Sequence, residues 1–153
     1  MEAKQANRNT SAVSEPRDQM IAALREVVLP VLRDMGFTGS FPHFRRIRDT
    51  QIDLLTFQFN RRGGSFVVEA SFCAPDGFTT SWGAHIPPKK VRAHDIHPNQ
   101  RPRLDSNHAD GWFHYEPEHS GIYAEAASQI VPILRSRAET YWQTHQLQND
   151  RNA

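Results

Sequence analysis

Two neighbouring segments of the chain alternate apolar and polar residues in the manner of β-strands. They cover residues 53–59 and 65–72. The apolar residues that share a face are Leu55, Phe57 and Phe59 in the first segment and Phe66, Val68, Ala70 and Phe72 in the second. Because successive side chains of a strand point to opposite faces, both segments offer an apolar surface to one core. Gly63 and Gly64 between them supply the backbone angles of a tight turn, so the pattern predicts a β-hairpin over 52–73.

A different spacing, with apolar residues every three or four positions, occurs near both ends of the chain. This spacing places the apolar side chains on one face of an α-helix. It predicts helices over 16–35 and from 120 to 145. The apolar faces consist of Met20, Ile21, Leu24, Val27, Val28, Val31, Leu32 and Met35, and of Ile122, Tyr123, Ala126, Ala127, Ile130, Ile133, Leu134, Ala138, Tyr141 and Trp142. Pro30 and Pro132 interrupt the two patterns, and a proline inside a helix produces a kink or a break.

Shorter patterns predict more strands around the hairpin. Residues 41–48 are expected to form a short strand, with Phe44 and Ile47 directed to the core. Residues 78–84 follow a turn signal and are expected to form another strand. A last strand, at the edge of the sheet, is expected within 111–115.

The segment 85–103 contains four prolines, which exclude a central strand because proline cannot donate a hydrogen bond to its neighbour. A loop of this length in a compact domain is either functional or mobile. The predicted fold is α+β: an antiparallel sheet of three to five strands, with the hairpin 52–73 at its centre and an N-terminal and a C-terminal helix packed on one face. We expect a single domain over 15–146, with disordered tails at 1–14 and 147–153.

The order of several short motifs is similar to that of a known family. A helix that ends at Gly36-Phe37 is followed by Phe44-Arg45-Arg46, by a strand that ends in Phe57-Gln58-Phe59-Asn60, and by an aromatic-led strand from Phe66. In this order the chain resembles the bacterial family named domain of unknown function 4304, over residues 20–145. The resemblance implies an α+β fold and brings no established catalytic residues. It also implies an interaction role, since some members look like components of toxin–immunity or other interaction systems.

Composition narrows the class of protein further. The 153 residues carry a net charge of +1, so no overall basic character draws the chain to nucleic acid. The charge is uneven: residues 40–103 hold ten basic and five acidic side chains, and residues 104–153 hold three and seven. The single cysteine, Cys73, excludes an internal disulfide and a multi-cysteine metal site. Because no secretory signal and no membrane-length apolar run is present, we expect a cytoplasmic protein with no membrane contact.

Histidines are the first candidates for chemistry. Those in or beside the long loop are His85, His94, His97, His108 and His114. Imidazole ligands suit Zn²⁺ or another first-row divalent metal, and three protein ligands leave one position open for an activated water. The close spacing of His94 and His97, with His108 downstream, therefore predicts a metal-assisted hydrolase that uses the histidine-rich loop 85–114. The His-Glu-x-x-His signature of zinc proteases is missing from these residues.

Four arginines and one tryptophan are the second set of candidates, here for partner binding. Arg45 and Arg46 lie on the predicted first strand, Arg61 and Arg62 at the hairpin turn, and Trp82 beyond the hairpin. Guanidinium groups bind phosphate or carboxylate with two hydrogen bonds, which suits an acidic or phosphorylated partner. The Trp82 ring offers a platform on which a base can stack. No nucleic-acid-binding motif accompanies these residues.

These observations favour a small, non-catalytic protein-binding module that contacts a protein partner and needs no cofactor. The supporting features are the uneven charge, the long proline-rich loop and the basic hairpin turn. The metal-assisted hydrolase is the alternative, with a divalent metal as its cofactor. A weak binder of nucleic acid or of a phosphate ligand ranks third, and its affinity would fall steeply with salt.

Overall fold

A computed structural model describes residues 14–116, 119 and 121–152. The helices are α1 (Ser14–Val27), α2 (Leu29–Asp34), α3 (Ile122–Ile133) and α4 (Glu139–Asn152). The strands are β1 (Thr38–Ser40), β2 (His43–Ile47), β3 (Ile52–Phe59), β4 (Ser65–Cys73), β5 (Phe78–Thr79), β6 (His85–Ile86) and β7 (Phe113–His114). Short 3₁₀ turns cover Ala93–Asp95 and Pro98–Gln100. Nearly all of the predicted tail 1–14 lies outside the described residues, and the backbone of the predicted tail 147–153 continues α4 as far as Asn152.

In the described part of the chain, five strands form one antiparallel sheet in the order β1-β2-β3-β4-β7. The predicted hairpin forms its centre, as β3 and β4. Leu55 pairs with Ala70, in a register that places the apolar residues of both strands on the same face. Gly63 and Gly64 occupy the turn with φ angles of +88° and +82°, which side chains disfavour. The sheet and the helices together confirm the predicted α+β fold, with the hairpin 52–73 at its centre.

The helices cover one face of the sheet, here called the helix face. The strand side chains buried under them include Phe44, Leu55, Phe57, Phe66, Val68 and Phe113. The helices contribute Met20, Leu24, Val28, Leu32, Ile130, Leu134 and Trp142 to the same core. These helix residues lie at the three- and four-residue steps seen in the sequence, so the predicted apolar helix faces are confirmed. Large aromatic rings supply much of the buried area, which offsets the modest aliphatic content.

The opposite face of the sheet, here called the loop face, is covered by the chain between β6 and β7. This covering segment forms a second hydrophobic cluster with the sheet, made of Ile52, Leu54, Cys73, Val91, Ala93 and Ile96. It then runs beside β4, where the Ala70 N–H donates to the Pro102 carbonyl and the Leu104 N–H donates to the Val68 carbonyl. The long predicted loop is therefore a packed layer of the fold.

Three local predictions differ from the structure. The predicted strand 41–48 corresponds to β2 alone, and β1 precedes it as a paired strand. Ile47, expected in the core, is 48 % exposed, because β1 begins only opposite Arg45 and leaves the last residues of β2 at the sheet edge. The predicted strand 78–84 shortens to β5, which pairs with β6 in a separate two-stranded sheet.

The two prolines within the predicted helices have different effects. Pro30 lies in the first turn of α2, where a missing N–H costs little, and the first helix is divided into α1 and α2. Pro132 lies inside α3, and a π-helical turn over Leu134–Ala138 follows it before α4 begins. Among the described residues, none of the helices combines the length and the apolar character that a bilayer-spanning segment needs.

A buried ion cluster attaches α4 to the helix face. Asp53 of β3 is fully buried, and its carboxylate lies 2.8 Å from Arg46 Nε and 2.7 Å from Arg48 Nε. Arg46 also donates two hydrogen bonds of 3.0 Å to the Glu139 carboxylate of α4. The same guanidinium lies 4.8 Å from the centre of the Phe37 ring. Each buried charge in this cluster has an opposite charge beside it, which is the condition under which burial is tolerated.

Candidate functional site

A cleft of about 550 Å³ lies where β3 extends beyond its pairing with β2. Its walls come from α1, from the turn before β2, from the end of β3 and from the covering segment. The lining residues are Ile21, Arg25, Phe41, Pro42, His43, Thr56, Phe57, Gln58, Phe59, Arg92 and His94, and the site is here called the basic cleft. Its volume falls within the range of roughly 300–1,000 Å³ that is common for ligand sites.

The opening beside β3 follows from the lengths of the strands. β2 pairs with β3 only as far as Thr56, and the Phe57 N–H then donates to the Pro42 carbonyl at 3.0 Å. In an antiparallel sheet, backbone groups alternate between the two neighbouring strands. Phe59, two residues after Phe57, therefore directs its N–H and C=O to the same side, where β2 no longer runs. Such groups at a sheet edge can accept the backbone of another extended chain.

Charge in the basic cleft has one sign. The described lining holds Arg25, Arg92, His43 and His94, and it contains no carboxylate. Asp95, outside the lining, lies 3.5 Å from the Arg92 guanidinium and balances part of the charge. Because no carboxylate of the described lining lies beside these basic groups, the cleft attracts an anionic group.

The pKa values of two neighbouring groups reflect this positive field. The pKa of His43 is lowered from its usual value, first by burial and then by the charges of Arg92 and His94. The pKa of Arg45 is also lowered, first by burial and then by Arg92. Both shifts mean that an additional positive charge is disfavoured at this place. His43 is therefore neutral at pH 7, with one ring nitrogen as a donor and the other as an acceptor.

A hydrogen bond between neighbouring strands orients His43. Its Nδ1 lies 2.8 Å from Thr56 Oγ1, and the two residues are directly opposite each other in the β2–β3 register. With Nδ1 engaged, a ligand in the cleft meets the Nε2 side of the ring. Thr56 is only 1 % exposed, so its hydroxyl is not placed to attack a substrate. The pair therefore positions an imidazole and does not form a nucleophilic centre.

Phenylalanine rings form an apolar floor in the cleft. The centre of the Phe41 ring lies 5.2 Å from that of Phe57 and 6.1 Å from that of Phe59. The Arg25 guanidinium lies 6.0 Å from the Phe41 ring centre, within cation–π distance. The cleft thus places cationic groups beside an apolar surface, an arrangement that suits a ligand with an acidic group next to an apolar one.

The residues predicted from the sequence for partner binding lie in separate places. Arg45 is half-buried, and its Nε donates to a backbone carbonyl of the covering segment at 3.0 Å. Arg46 belongs to the buried ion cluster. Arg61 and Arg62 are exposed at the turn between β3 and β4. Trp82 is 80 % exposed in the turn between β5 and β6, which follows the opposite end of β4. The fold does not bring these five side chains together into one surface.

The three histidines predicted as metal ligands are also separated. His94 lines the basic cleft, whereas His97 accepts a backbone hydrogen bond of 3.2 Å at the start of a 3₁₀ turn. His108 lies beside Asp110 and His114 instead. In the described part of the chain, these three form the only group of three or more metal-ligand side chains whose ligand atoms lie within 4.8 Å of one another. Because of the path of the covering segment, His108 lies beside Asp110 and His114 and not beside the predicted His94 and His97.

Cys73 is a core residue. It is 7 % exposed and belongs to the cluster between the loop face and the covering segment. Burial, with a smaller contribution from the negative charge of Asp76, raises the pKa of the Cys73 thiol to about 12. The thiolate is the reactive form of cysteine, so this protonated thiol is not suited to nucleophilic catalysis.

Sequence reasoning did not identify Arg25, His43 and Arg92 as one group. They are far apart along the chain, and they meet because the eight-residue β3 is longer than the five-residue β2 beside it. A local signal was present at Pro42, which lacks an N–H and cannot extend the β2 ladder. That signal indicates where β2 begins, but it does not indicate which helix and which loop border the opening.

Comparisons with known proteins identify the family of the chain. The family model described as domain of unknown function (DUF4304) matches residues 27–144. The match includes the whole five-stranded sheet, the covering segment and every residue of the basic cleft except Ile21 and Arg25. No curated protein matches the chain, and no solved structure matches it. The resemblance inferred from the order of motifs is confirmed: the chain belongs to the DUF4304 family.

Proposed function

We propose that this protein is a non-catalytic binding module that holds an acidic, extended segment of a partner protein in the basic cleft. One observation carries the proposal: among the described residues, the end of β3 extends past its pairing with β2 into a cleft whose charged lining residues are all basic. Sheet-edge binding obtains affinity from backbone hydrogen bonds and obtains specificity from the side chains around the edge. Arg25 and Arg92 would select acidic residues, and Phe41 and Phe57 would contact an apolar one.

The backbone of Phe59 favours a peptide over a small anion. A free phosphate needs only donors and positive charge, whereas a peptide also supplies an N–H for the Phe59 carbonyl. The opening is short, because Arg17 donates to the Asn60 carbonyl at 2.9 Å and Pro42 accepts from Phe57 at the other end. The peptide would therefore pair with the sheet over only one or two residues, and side-chain contacts would supply the rest of the affinity.

The two alternatives from the sequence, a metal-assisted hydrolase and a binder of nucleic acid, receive less support from the positions of their candidate residues. A hydrolase built on His94, His97 and His108 requires the three imidazoles to converge, and the described structure gives them different neighbours. Binding of nucleic acid requires a stacking ring near basic groups. Trp82 and the Arg61–Arg62 turn lie beyond opposite ends of β4.

The proposal includes a cytoplasmic location. A buried thiol without an intrachain partner, such as Cys73, suits a reducing compartment. Fractionation of source cells followed by immunoblotting measures the location. Recovery of the protein mainly outside the cytoplasmic fraction would contradict this part of the proposal.

Peptide display on the full chain tests the binding function. Selection from a library of short random peptides is expected to enrich sequences in which Asp or Glu stands beside Phe, Leu or Trp. Binding of an enriched, fluorescently labelled peptide is then measured by anisotropy. The double variant Arg25→Ala/Arg92→Ala is expected to weaken this binding about tenfold or more, roughly 1.4 kcal/mol or more. The matched control is Arg61→Ala/Arg62→Ala, which removes the same charge outside the cleft.

The possible results distinguish peptide binding in the basic cleft from peptide binding elsewhere and from binding of a small anion. Loss of affinity in the cleft variant alone, with weaker binding at higher salt, supports the proposal. Equal affinity of the cleft variant and the wild type would show that the peptide binds elsewhere. Displacement of the peptide by inorganic phosphate at comparable concentration would indicate a small-anion site, and selection of uncharged peptides would remove the electrostatic argument.

A further inference from the structure

A second group of side chains with ligand chemistry lies outside the basic cleft. His108 Nδ1 lies 2.8 Å from Asp110 Oδ1, and His114 Nε2 lies 2.9 Å from Asp110 Oδ2. The centres of the two imidazole rings are 4.0 Å apart. The three side chains are partly open to solvent, with exposed fractions of 55 % for His108, 47 % for Asp110 and 37 % for His114. We propose that these three residues form a binding site for Zn²⁺.

The positions of the ligand atoms suit one shared ion. All three ligand atoms lie within 4.8 Å of one another. A tetrahedral Zn²⁺ with bonds of roughly 2.0–2.2 Å holds its ligand atoms about 3.3–3.6 Å apart. Asp110 Oδ1 lies 2.8 Å from His108 Nδ1 and 3.1 Å from His114 Nε2, so these two distances need to lengthen by roughly 0.2–0.8 Å for the ion to enter. This change is within the reach of exposed side-chain rotations.

Backbone contacts hold the ligands near one another before any ion binds. The Gly111 N–H donates to the His108 carbonyl at 2.9 Å and closes a turn. The Trp112 N–H donates to Asp110 Oδ1, also at 2.9 Å. His114 lies on β7, which pairs with β4 at the edge of the main sheet. Because the turn and the strand already order this segment, ion binding costs less conformational entropy than it would in a free loop.

The donor set indicates a first-row transition metal. Two imidazole nitrogens and one carboxylate match the ligands of zinc, whereas Mg²⁺ and Ca²⁺ prefer oxygen donors. Three protein ligands on a solvent-exposed surface leave a coordination position for water or for an atom of a bound molecule. The basic cleft contains none of the three residues, so this site and the proposed peptide site succeed or fail independently.

Calorimetric titration of the full chain with Zn²⁺, after removal of any affinity tag, tests the site. We expect one ion per chain at neutral pH. His108→Ala and Asp110→Asn are each expected to weaken binding about tenfold or more, because the first removes a ligand and the second removes the negative charge of another. His97→Ala is the matched control, since His97 is exposed but is not part of the group. A visible absorption band of bound Co²⁺ that disappears in His108→Ala provides a second readout.

The pH dependence of the titration gives a further criterion. Protons compete with the metal for the imidazole nitrogens, so the affinity is expected to be weaker in acid than at neutral pH. The circular dichroism spectrum of each variant verifies that the fold is retained. The proposal is overturned if the wild type shows no saturable binding, if both ligand variants bind as the wild type does, or if His97→Ala weakens binding as much as His108→Ala.

Discussion

At the scale of single residues, burial separates the arginines that hold the fold from those that can meet a partner. Arg45 and Arg46 are adjacent on β2, and strand alternation directs them to opposite faces of the sheet. Arg46 meets Asp53 and Glu139 under the helices. Arg45 meets the covering segment, where burial and then the charge of Arg92 lower its pKa. Arg46 therefore stabilises the core on the helix face, whereas Arg45 lies beside the basic cleft on the loop face.

Glu139 is expected to make the stability of the protein depend on pH. Burial raises the pKa of this carboxyl, but hydrogen bonds from Arg46 and Gln143 outweigh burial, so the folded pKa lies below the ordinary 4.5. A carboxyl whose pKa is lower in the folded state than in the unfolded state stabilises the protein at pH values above the unfolded pKa. That stabilisation is lost as the pH falls through the folded value.

The test compares the free energy of unfolding of Glu139→Gln with that of the wild type in urea at several pH values. We expect the variant to be less stable at neutral pH and the difference to shrink below about pH 4.5. Glu26→Gln, a change at an exposed position of α1, is the control and is expected to show little difference throughout. A difference between Glu139→Gln and the wild type that is constant from neutral to acidic pH would contradict the prediction.

At the scale of secondary structure, unequal strand lengths create the opening of the sheet. β3 continues past the last residue that β2 can pair, and α1 and the covering segment border the space that results. The opening is a property of the strand register, since no single side chain produces it. Shifting β2 by one residue would reverse the faces of its side chains, so the hydrophobic pattern holds the opening in place.

The turns before and after β5 provide a matched test at this scale. Gly77 and Gly83 both have left-handed backbone angles, with φ of +109° and +91°. A Cβ at Gly77 would clash with the Ile86 carbonyl oxygen, whereas a Cβ at Gly83 would meet no described atom within 4 Å. Gly83→Ala is expected to cost roughly 1–2 kcal/mol from backbone strain alone. Gly77→Ala adds a clash with backbone and is expected to cost more, as measured by urea unfolding; equal losses would contradict this.

At the scale of the whole molecule, two different layers enclose the sheet. The helix face is covered by regular helices, and the loop face is covered by an irregular segment with short 3₁₀ turns. Arg101 attaches this segment to the sheet. Its Nε lies 3.2 Å from Glu69 Oε2 on β4, and its Nη1 donates to the carbonyls of His94 and Ile96 at 2.8 and 3.1 Å.

Arg101→Ala is expected to loosen the covering segment. The change removes these contacts and leaves the Glu69 carboxylate in surroundings where it is only 6 % exposed. Loss of one partner of a buried pair costs roughly 3–5 kcal/mol. We expect faster hydrogen exchange at the amides of residues 95 and 96 and weaker peptide binding, because His94 lies in both the segment and the cleft.

The control for Arg101→Ala is Arg103→Ala, an exposed position whose guanidinium lies 5.3 Å from the Trp112 ring centre. Exchange at residues 95 and 96 is expected to stay near the wild-type rate in this variant, as measured by mass spectrometry or NMR. Unchanged exchange in Arg101→Ala, or an equal increase in both variants, would show that the Glu69–Arg101 pair does not hold the segment.

The sequence by itself determined the elements of this protein, because their signals are local. Alternation over 53–59 and 65–72, with glycines between, defines the central hairpin. The three- and four-residue spacing defines the helix faces, and 111–115 is recognisable as an edge strand. Ile47 is exposed, although the pattern predicted a core position, because its exposure depends on how far the neighbouring strand β1 extends along β2.

Only the tertiary structure decided which side chains meet. Arg46 reaches Asp53 because the register places the two residues opposite each other, and His108 lies beside His114 of the edge strand β7, which pairs with β4. Arg25 and Arg92 line the same cleft at the end of β3 because the covering segment returns over the loop face. Strand register and the path of an irregular segment are set by packing between residues distant in sequence, and local periodicity contains no information about either.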